Sequence, residues 1–189
     1  DGAAIVMLPG GGLRVLGMGG DMHDTIALLN DHGIAVIVLE YRTLQRAPEE
    51  IARATAPRPP VSGPIEFPTM EIRNANANPS PGDPALSEVL RLAVADGQAA
   101  LRLVRSRAAQ WRIDPDRVGM FGTSAGGGVA FGTMMAGEEG ATPDFIISNF
   151  GPALQDIVVP ENALPLFLIT EAWHGPVTDA LVALFQMWI

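Results

Sequence analysis

Gly122, Ser124 and Gly126 stand at the spacing G-x-S-x-G inside the run Gly119-Met-Phe-Gly-Thr-Ser-Ala-Gly-Gly-Gly128. A short apolar run, Val118 to Phe121, leads into them, and a small-residue segment that can begin a helix, Gly127 to Ala130, follows. Strand, tight turn and helix in that order lift a serine hydroxyl clear of a sheet, where it can act as a nucleophile. Neighbours without β-carbons let strand and helix approach each other around such a turn. The blander reading of the same residues is a Gly/Ser loop joining a strand to a helix.

Pro9-Gly10-Gly11-Gly12 lies directly after another apolar run. Unpaired backbone N–H groups in such a loop can converge on an anion. Glu40 stands where a ribose-binding acid would, which opens a dinucleotide reading. That reading fails on spacing: from Gly10 the residues are Gly-Gly-Gly-Leu-Arg-Val, so the third glycine of G-x-G-x-x-G is missing. No Gly-Lys-Ser/Thr follows either, so no phosphate loop is predicted, and no cofactor is expected. His23 lies beside Asp21 and Asp24, but a solvated helix start explains the trio better than a metal, and no metal site is expected.

Composition narrows the field further. A 189-residue chain with 48% hydrophobic and only 17% charged residues predicts one domain, residues 1–189, with a substantial core. The net charge of −9 argues against nucleic acid as a partner. Cysteine is absent, which excludes disulfides, thiol catalysis and Cys-metal sites. No run approaches the roughly 20 apolar residues of a membrane span. A soluble protein is expected, with the compartment open between cytoplasm and export, because the first residue is Asp and not Met.

The elements that must position these motifs read as a βαβ pattern. Ala3–Leu8 and Ile34–Leu39 are continuous apolar runs of the kind buried on both faces of a parallel sheet. Residues 20–31 between them predict a helix, capped by Asp21 or Asp24 and ended by Gly33. His32 sits at its C-terminus, where an imidazolium suits the helix dipole. Residues 43–87 hold nine of the sixteen prolines and the repeat Asn74-Ala-Asn-Ala-Asn78, and predict a long irregular insertion. Such an excursion is a disordered segment, a lid or a substrate-binding loop. From Ser87 helical spacing runs through Val89, Leu90, Leu101 and Val104 to Trp111. A turn at Asp114-Pro115-Asp116, strands at Phe145–Ser148 and Leu166–Thr170, and a helix starting at Thr178 or Asp179 complete the pattern.

Taken in order, Pro9-Gly-Gly-Gly12, Glu40-Tyr41-Arg42, Arg102-Leu-Val-Arg-Ser-Arg107, Ile113-Asp-Pro-Asp-Arg-Val118 and Gly122-Thr-Ser-Ala-Gly-Gly127 resemble the α/β-hydrolase esterases. The nearest branch is the acetyl-esterase, acetyl-xylan-esterase and feruloyl-esterase-like group, and the resemblance spans most of the chain outside 43–87. It implies an α/β fold with a doubly wound, mostly parallel sheet, in the spatial order second strand, first strand, then those before Ser124, Asn149 and Glu171. It also implies roles: Ser124 as nucleophile, and the N–H groups of Ala125, Gly11 and Gly12 as an oxyanion hole. Both motifs then fall at the carboxyl ends of adjacent strands, where open α/β sheets bind ligands.

The resemblance implies an acid just past Thr170 and a histidine one strand later. Trp173, His174 and Gly175 occupy the positions expected for aspartate. Glu171 is the better of the two nearest carboxylates, Asp179 being the other. No Gly-His loop precedes Ile189, so the base is a histidine beyond Ile189 or else His174. Strands expected before the first run are also missing, and the last helix stops without a cap, so a partial or reduced variant of the fold is expected. Specificity is expected from 43–87 and from around Phe150 and Trp173. The leading expectation is a serine carboxylic-ester hydrolase acting on small acyl esters, acetylated or feruloylated carbohydrates among them. The alternative is a catalytically impaired binding protein of the same fold, lacking a complete triad. An open edge strand would favour homo-oligomers.

Overall fold

A computed structural model describes residues 2–44, 49, 69–172 and 175–189. Five strands, β1 (Gly2–Leu8), β2 (Ala35–Val38), β3 (Ile113–Thr123), β4 (Ile146–Asn149) and β5 (Leu166–Ile169), form one sheet in the order β2-β1-β3-β4-β5. Every pairing is parallel, so the spatial order expected from the sequence is the one observed. β1 lies inside the sheet, between β2 and β3, which is why its side chains from Ala4 to Leu8 are all buried and its sequence shows no polar alternation.

Helices cover both faces of the sheet. Ala4, Val6, Leu8, Val118 and Met120 join one core with α2 (Pro84–Ser106) and α4 (Ala125–Ala136). Met7 and Phe121 point the other way, toward Met22 and Thr25 of α1 (Gly20–Asp31). A short α3 (Ala108–Trp111) follows α2, and α5 (Pro176–Trp188) adds Leu181 and Leu184 to the core. This is the doubly wound, parallel α/β architecture.

The bounds of β1, β2, β4 and β5 agree with those read in the sequence to within a residue, while two helix starts, one cap and one turn differ, each for a local reason. α2 starts at Pro84, not Ser87: Asp83 Oδ1 accepts the N–H of Ala85 at 2.8 Å and of Leu86 at 3.3 Å, and Pro84 needs no acceptor in the first turn. α5 likewise starts at Pro176, ahead of Thr178 and Asp179, after Gly175 at φ 55°. For α1 neither Asp21 nor Asp24 is the cap; Gly19 holds that position and no side chain caps the helix. The expected turn at 114–116 is a bulge within β3. Gly2 pairs with Ile113 and Ala4 with Val118, and Asp114 Oδ1 holds the N–H of Asp116 at 3.1 Å.

The part of 43–87 that is described is irregular but firmly tied. Asn74 and Asn76 donate side-chain hydrogen bonds to the two carboxylate oxygens of Asp156, at 3.1 and 2.9 Å. Asn78 donates to the Leu154 carbonyl, and Ala77 N–H to Ala153 O. These bonds hold the Asp156 carboxyl below the usual aspartate range. The rest of the proline-rich stretch, 45–48 and 50–68, lies outside the described residues.

Candidate active site

β1 and β3 are neighbours with Leu8 opposite Gly122, so the loops that leave them, Pro9–Gly12 and Ser124, emerge side by side. A β-carbon on Gly10 would lie 3.0 Å from Ser124 Cβ. Ser124 itself sits at φ 51° and ψ −124°, a conformation that a non-glycine residue holds only under strain. Backbone bonds hold it there: Ser124 N–H donates to Asn149 O at 3.2 Å, and Gly127 N–H to Ser124 O at 2.9 Å.

The glycines around the turn permit contacts that any side chain would block. A β-carbon on Gly122 would stand 2.5 Å from Gly126 O and Gly127 Cα, and one on Gly126 would stand 2.1 Å from Leu8 O. Beneath Ser124 runs the turn after β4. There the buried Ser148 hydroxyl donates to Gly151 O at 2.6 Å and accepts from Gly151 N–H at 3.2 Å. Gly151 in turn packs against Gly127, backbone against backbone.

The glycine loop is shaped by its own hydrogen bonds. Arg14 and Val15 N–H both reach Gly11 O, Gly17 N–H reaches Gly10 O, and Leu44 N–H reaches Leu13 O. Gly11 and Gly12 have φ of 134° and 62°. Two anchors come from the segment after β2. Tyr41, 2% exposed, donates its hydroxyl to Pro9 O at 2.5 Å, and burial pushes its pKa up to about 12. Arg42 grips Asp96 of α2 through its Nε, Nη2 and backbone N–H. Among the described residues, no acceptor takes the N–H of Gly12 or of Ala125.

A cavity of about 410 Å³ opens above these residues. Gly12, Ser124 and Ala125 all line it, together with Leu13, Arg14, Met70, Leu86, Leu90, Leu154 and Val177. Residues 77–80 of the insertion form part of the wall, as do Pro152 and Pro176. The contributions of Leu86 and Leu90 were hidden in the sequence, because their spacing along α2 is that of ordinary core residues. The structure thus brings Gly12, Ser124 and Ala125 to one space, with Gly11 next in the loop.

Phe150 goes elsewhere. Its turn, at φ 38°, directs it to a separate cavity of about 210 Å³ with Met7, Met22 and Phe121, on the α1 side of the sheet. Glu171 is exposed on the loop after β5, its carbonyl accepting the Thr178 hydroxyl at 2.7 Å. Asp179 is exposed in the first turn of α5. His174 and Trp173 lie outside the described residues. His23 is exposed on α1, and His32 closes that helix with Nδ1 2.9 Å from Leu28 O; neither lines the Ser124 cavity. Among the described residues no group of three or more His, Cys, Asp or Glu side chains could hold a metal ion, and no helix is long and apolar enough to cross a membrane.

A parallel sheet in this order, with a strained serine and a glycine loop at the ends of adjacent strands, is the framework of the α/β-hydrolase fold. Residues 85–179 match the family model described by that fold, and the chain belongs to this family. Two solved structures agree on the architecture. A lipase/esterase from Lactobacillus plantarum aligns over 100% of this chain and 77% of its own, at 16% identity and a TM-score of 0.63. An α/β-hydrolase enzyme from a Medee basin deep-sea metagenome library aligns over 99% of this chain and 63% of its own, at 18% identity and TM-score 0.57. An acetyl ester-xyloside bifunctional hydrolase from Caldicellulosiruptor lactoaceticus aligns over 80% of this chain, at 22% identity and TM-score 0.47. This chain spans 44% of that protein's length and 63% of the metagenome enzyme's. What this chain shares with the Lactobacillus plantarum and metagenome proteins, at 16% and 18% identity, is the fold. No curated protein matches the sequence.

Proposed function

We propose that this chain carries the nucleophile and oxyanion hole of a serine carboxylic-ester hydrolase. The observation that supports this above all is the shared cavity of Ser124, Ala125 and Gly12, with Ser124 in a strained backbone conformation at its floor. In the reaction, Ser124 Oγ bonds to the ester carbonyl carbon and its proton passes to a base. The carbonyl electron pair moves to oxygen, which the N–H groups of Gly11, Gly12 and Ala125 stabilise. One donor of this kind is worth about 10²–10³ in rate. Collapse expels the alcohol, which takes up the proton, and water then releases the acid from the acyl-enzyme.

Serine needs a base and the base needs an orienting acid. In this chain we assign those roles to His174 and Glu171, in the segment that follows β5. Small acyl esters suit the cavity, whose walls are largely apolar, and acetylated or feruloylated carbohydrates are the substrates to try first; Trp173 is the proposed additional substrate contact.

The competing reading is a binding protein that keeps the pocket without a working triad. In its favour, no histidine or carboxylate among the described residues lines the Ser124 cavity. A fluorophosphonate probe separates the two. Stoichiometric labelling that Ser124→Ala abolishes supports the hydrolase; a folded protein that takes no label sinks it.

A further inference from the structure

Arg14 is the one charged side chain among the described residues that line the Ser124 cavity. It follows Leu13 in the glycine loop, so its backbone is fixed by the bond from its own N–H to Gly11 O at 3.0 Å. Among the described residues its guanidinium has no ion pair and no hydrogen-bond partner. That sets it apart from Arg42, Arg73, Arg91, Arg102 and Arg105, each of which holds a carboxylate. Arg107, Arg112 and Arg117 are also without ion pairs among the described residues, but Arg107 donates to Gln110 Oε1, Arg112 and Arg117 sit at the opposite end of β3, and none of the three lines the cavity.

The surroundings sharpen the contrast. The chain has 21 acidic residues against 12 basic ones, yet no described carboxylate lines this cavity. The other walls are leucines, prolines, Met70 and Val177, with Asn78 and Ser80 as neutral polar groups. Ala125 and Pro176 begin α4 and α5, so the positive ends of two helix dipoles also face the space. An acidic protein whose serine cavity is lined, among the described residues, by one exposed and unpaired arginine and by no carboxylate presents a positive spot on an apolar wall.

Building on the hydrolase reading, we propose that Arg14 is a specificity residue, and that the preferred substrate is an ester that also carries a carboxylate. The guanidinium offers a planar pair of N–H donors that matches a carboxylate, which a neutral ester cannot use. The ester carbonyl meets Ser124 and the loop N–H groups while the carboxylate rests on Arg14.

Two matched pairs of esters test this in the wild-type chain and in Arg14→Gln. One pair places the charge on the acyl side, 4-nitrophenyl hemisuccinate against 4-nitrophenyl pentanoate. The other places it on the alcohol side, 4-acetoxybenzoate against its methyl ester. The ratio of kcat/KM, anionic to neutral, should fall about tenfold in Arg14→Gln for one pair or the other, chiefly through KM, with Arg14→Lys keeping part of the preference. An unchanged ratio in both pairs overturns the proposal. Binding of monomethyl succinate to Ser124→Ala, followed by calorimetry, provides a readout independent of turnover. Affinity that Arg14→Gln removes supports the anion site even if no ester is hydrolysed, in which case the hydrolase reading alone fails. Ester hydrolysis without such affinity overturns the anion site and leaves the hydrolase standing.

Discussion

The Tyr41 hydroxyl donates to the carbonyl oxygen of Pro9, joining the chain after β2 to the first residue of the glycine loop. Both groups are buried, so neither has water as an alternative partner. The bond fixes where the loop leaves β1. Arg42, the next residue, locks the same segment to Asp96 on α2. The position of Gly11 and Gly12 beside Ser124 is therefore set partly from residues some thirty positions away in the sequence.

Replacing Tyr41 by Phe leaves the Pro9 carbonyl buried without a donor. We expect a loss of about 1–3 kcal/mol in stability, the usual cost of an orphaned buried polar group. Under the hydrolase reading kcat should fall more than KM rises, because the loop N–H groups act on the transition state. Urea unfolding alongside steady-state kinetics checks both.

Tyr41 is the sole tyrosine, so its titration can be followed directly by phenolate absorbance. Its native pKa of about 12 exceeds the ordinary 10.0. The folded state therefore binds the phenolic proton more tightly than the unfolded chain does. The resulting stabilisation is complete below pH 10.0 and is lost as pH rises through about 12. The absorbance midpoint should lie near the upper value in the native protein and near the lower one in urea. A native midpoint at the ordinary value would contradict the burial.

Gly126 and Gly12 should respond differently to alanine. At Gly126 the new β-carbon would meet Leu8 O at 2.1 Å and Pro9 O at 2.8 Å, backbone atoms that cannot swing aside. We expect Gly126→Ala to cost about 3 kcal/mol or more by overpacking, or to prevent folding. At Gly12 nothing lies within 4 Å, and only the positive φ of 62° opposes a side chain. Gly12→Ala should cost about 1 kcal/mol and leave a soluble, folded protein. Thermal melts of the two variants provide the comparison.

Asp156 ties the asparagine segment to the chain after β4, and its carboxyl is held below the usual aspartate range by Asn76 and Asn74. A depressed carboxylate stabilises above its unfolded pKa and loses that contribution as pH falls through the folded value. Residues 69–80 should accordingly loosen on acidification below the ordinary aspartate value of 3.8. Asp156→Ala should loosen them at neutral pH. Amide hydrogen exchange of Ala77, whose N–H is bonded to Ala153 O, reports on both.

The frame of this protein is legible in its amino acids alone. Runs such as Ala4–Leu8 are apolar without alternation because a central parallel strand is covered on both faces. Gly122 and Gly126 bracket Ser124 because the turn leaves no room for β-carbons. The placement of strands and helices along the chain follows from such local signals, whereas the strand order and the meeting of two loops at one end of the sheet came through the resemblance that the motifs carry. Helix starts were less legible, since Asp83-Pro84 and Gly175-Pro176 begin their helices ahead of the apolar spacing. What surrounds the serine emerges from packing: Tyr41 on Pro9, Asn76 on Asp156, Arg14 and Leu90 on one cavity, and Phe150 on another. These pairs are distant in sequence, and no periodicity encodes them. A side chain's partner across a fold depends on how the elements pack, which single-residue propensities do not carry.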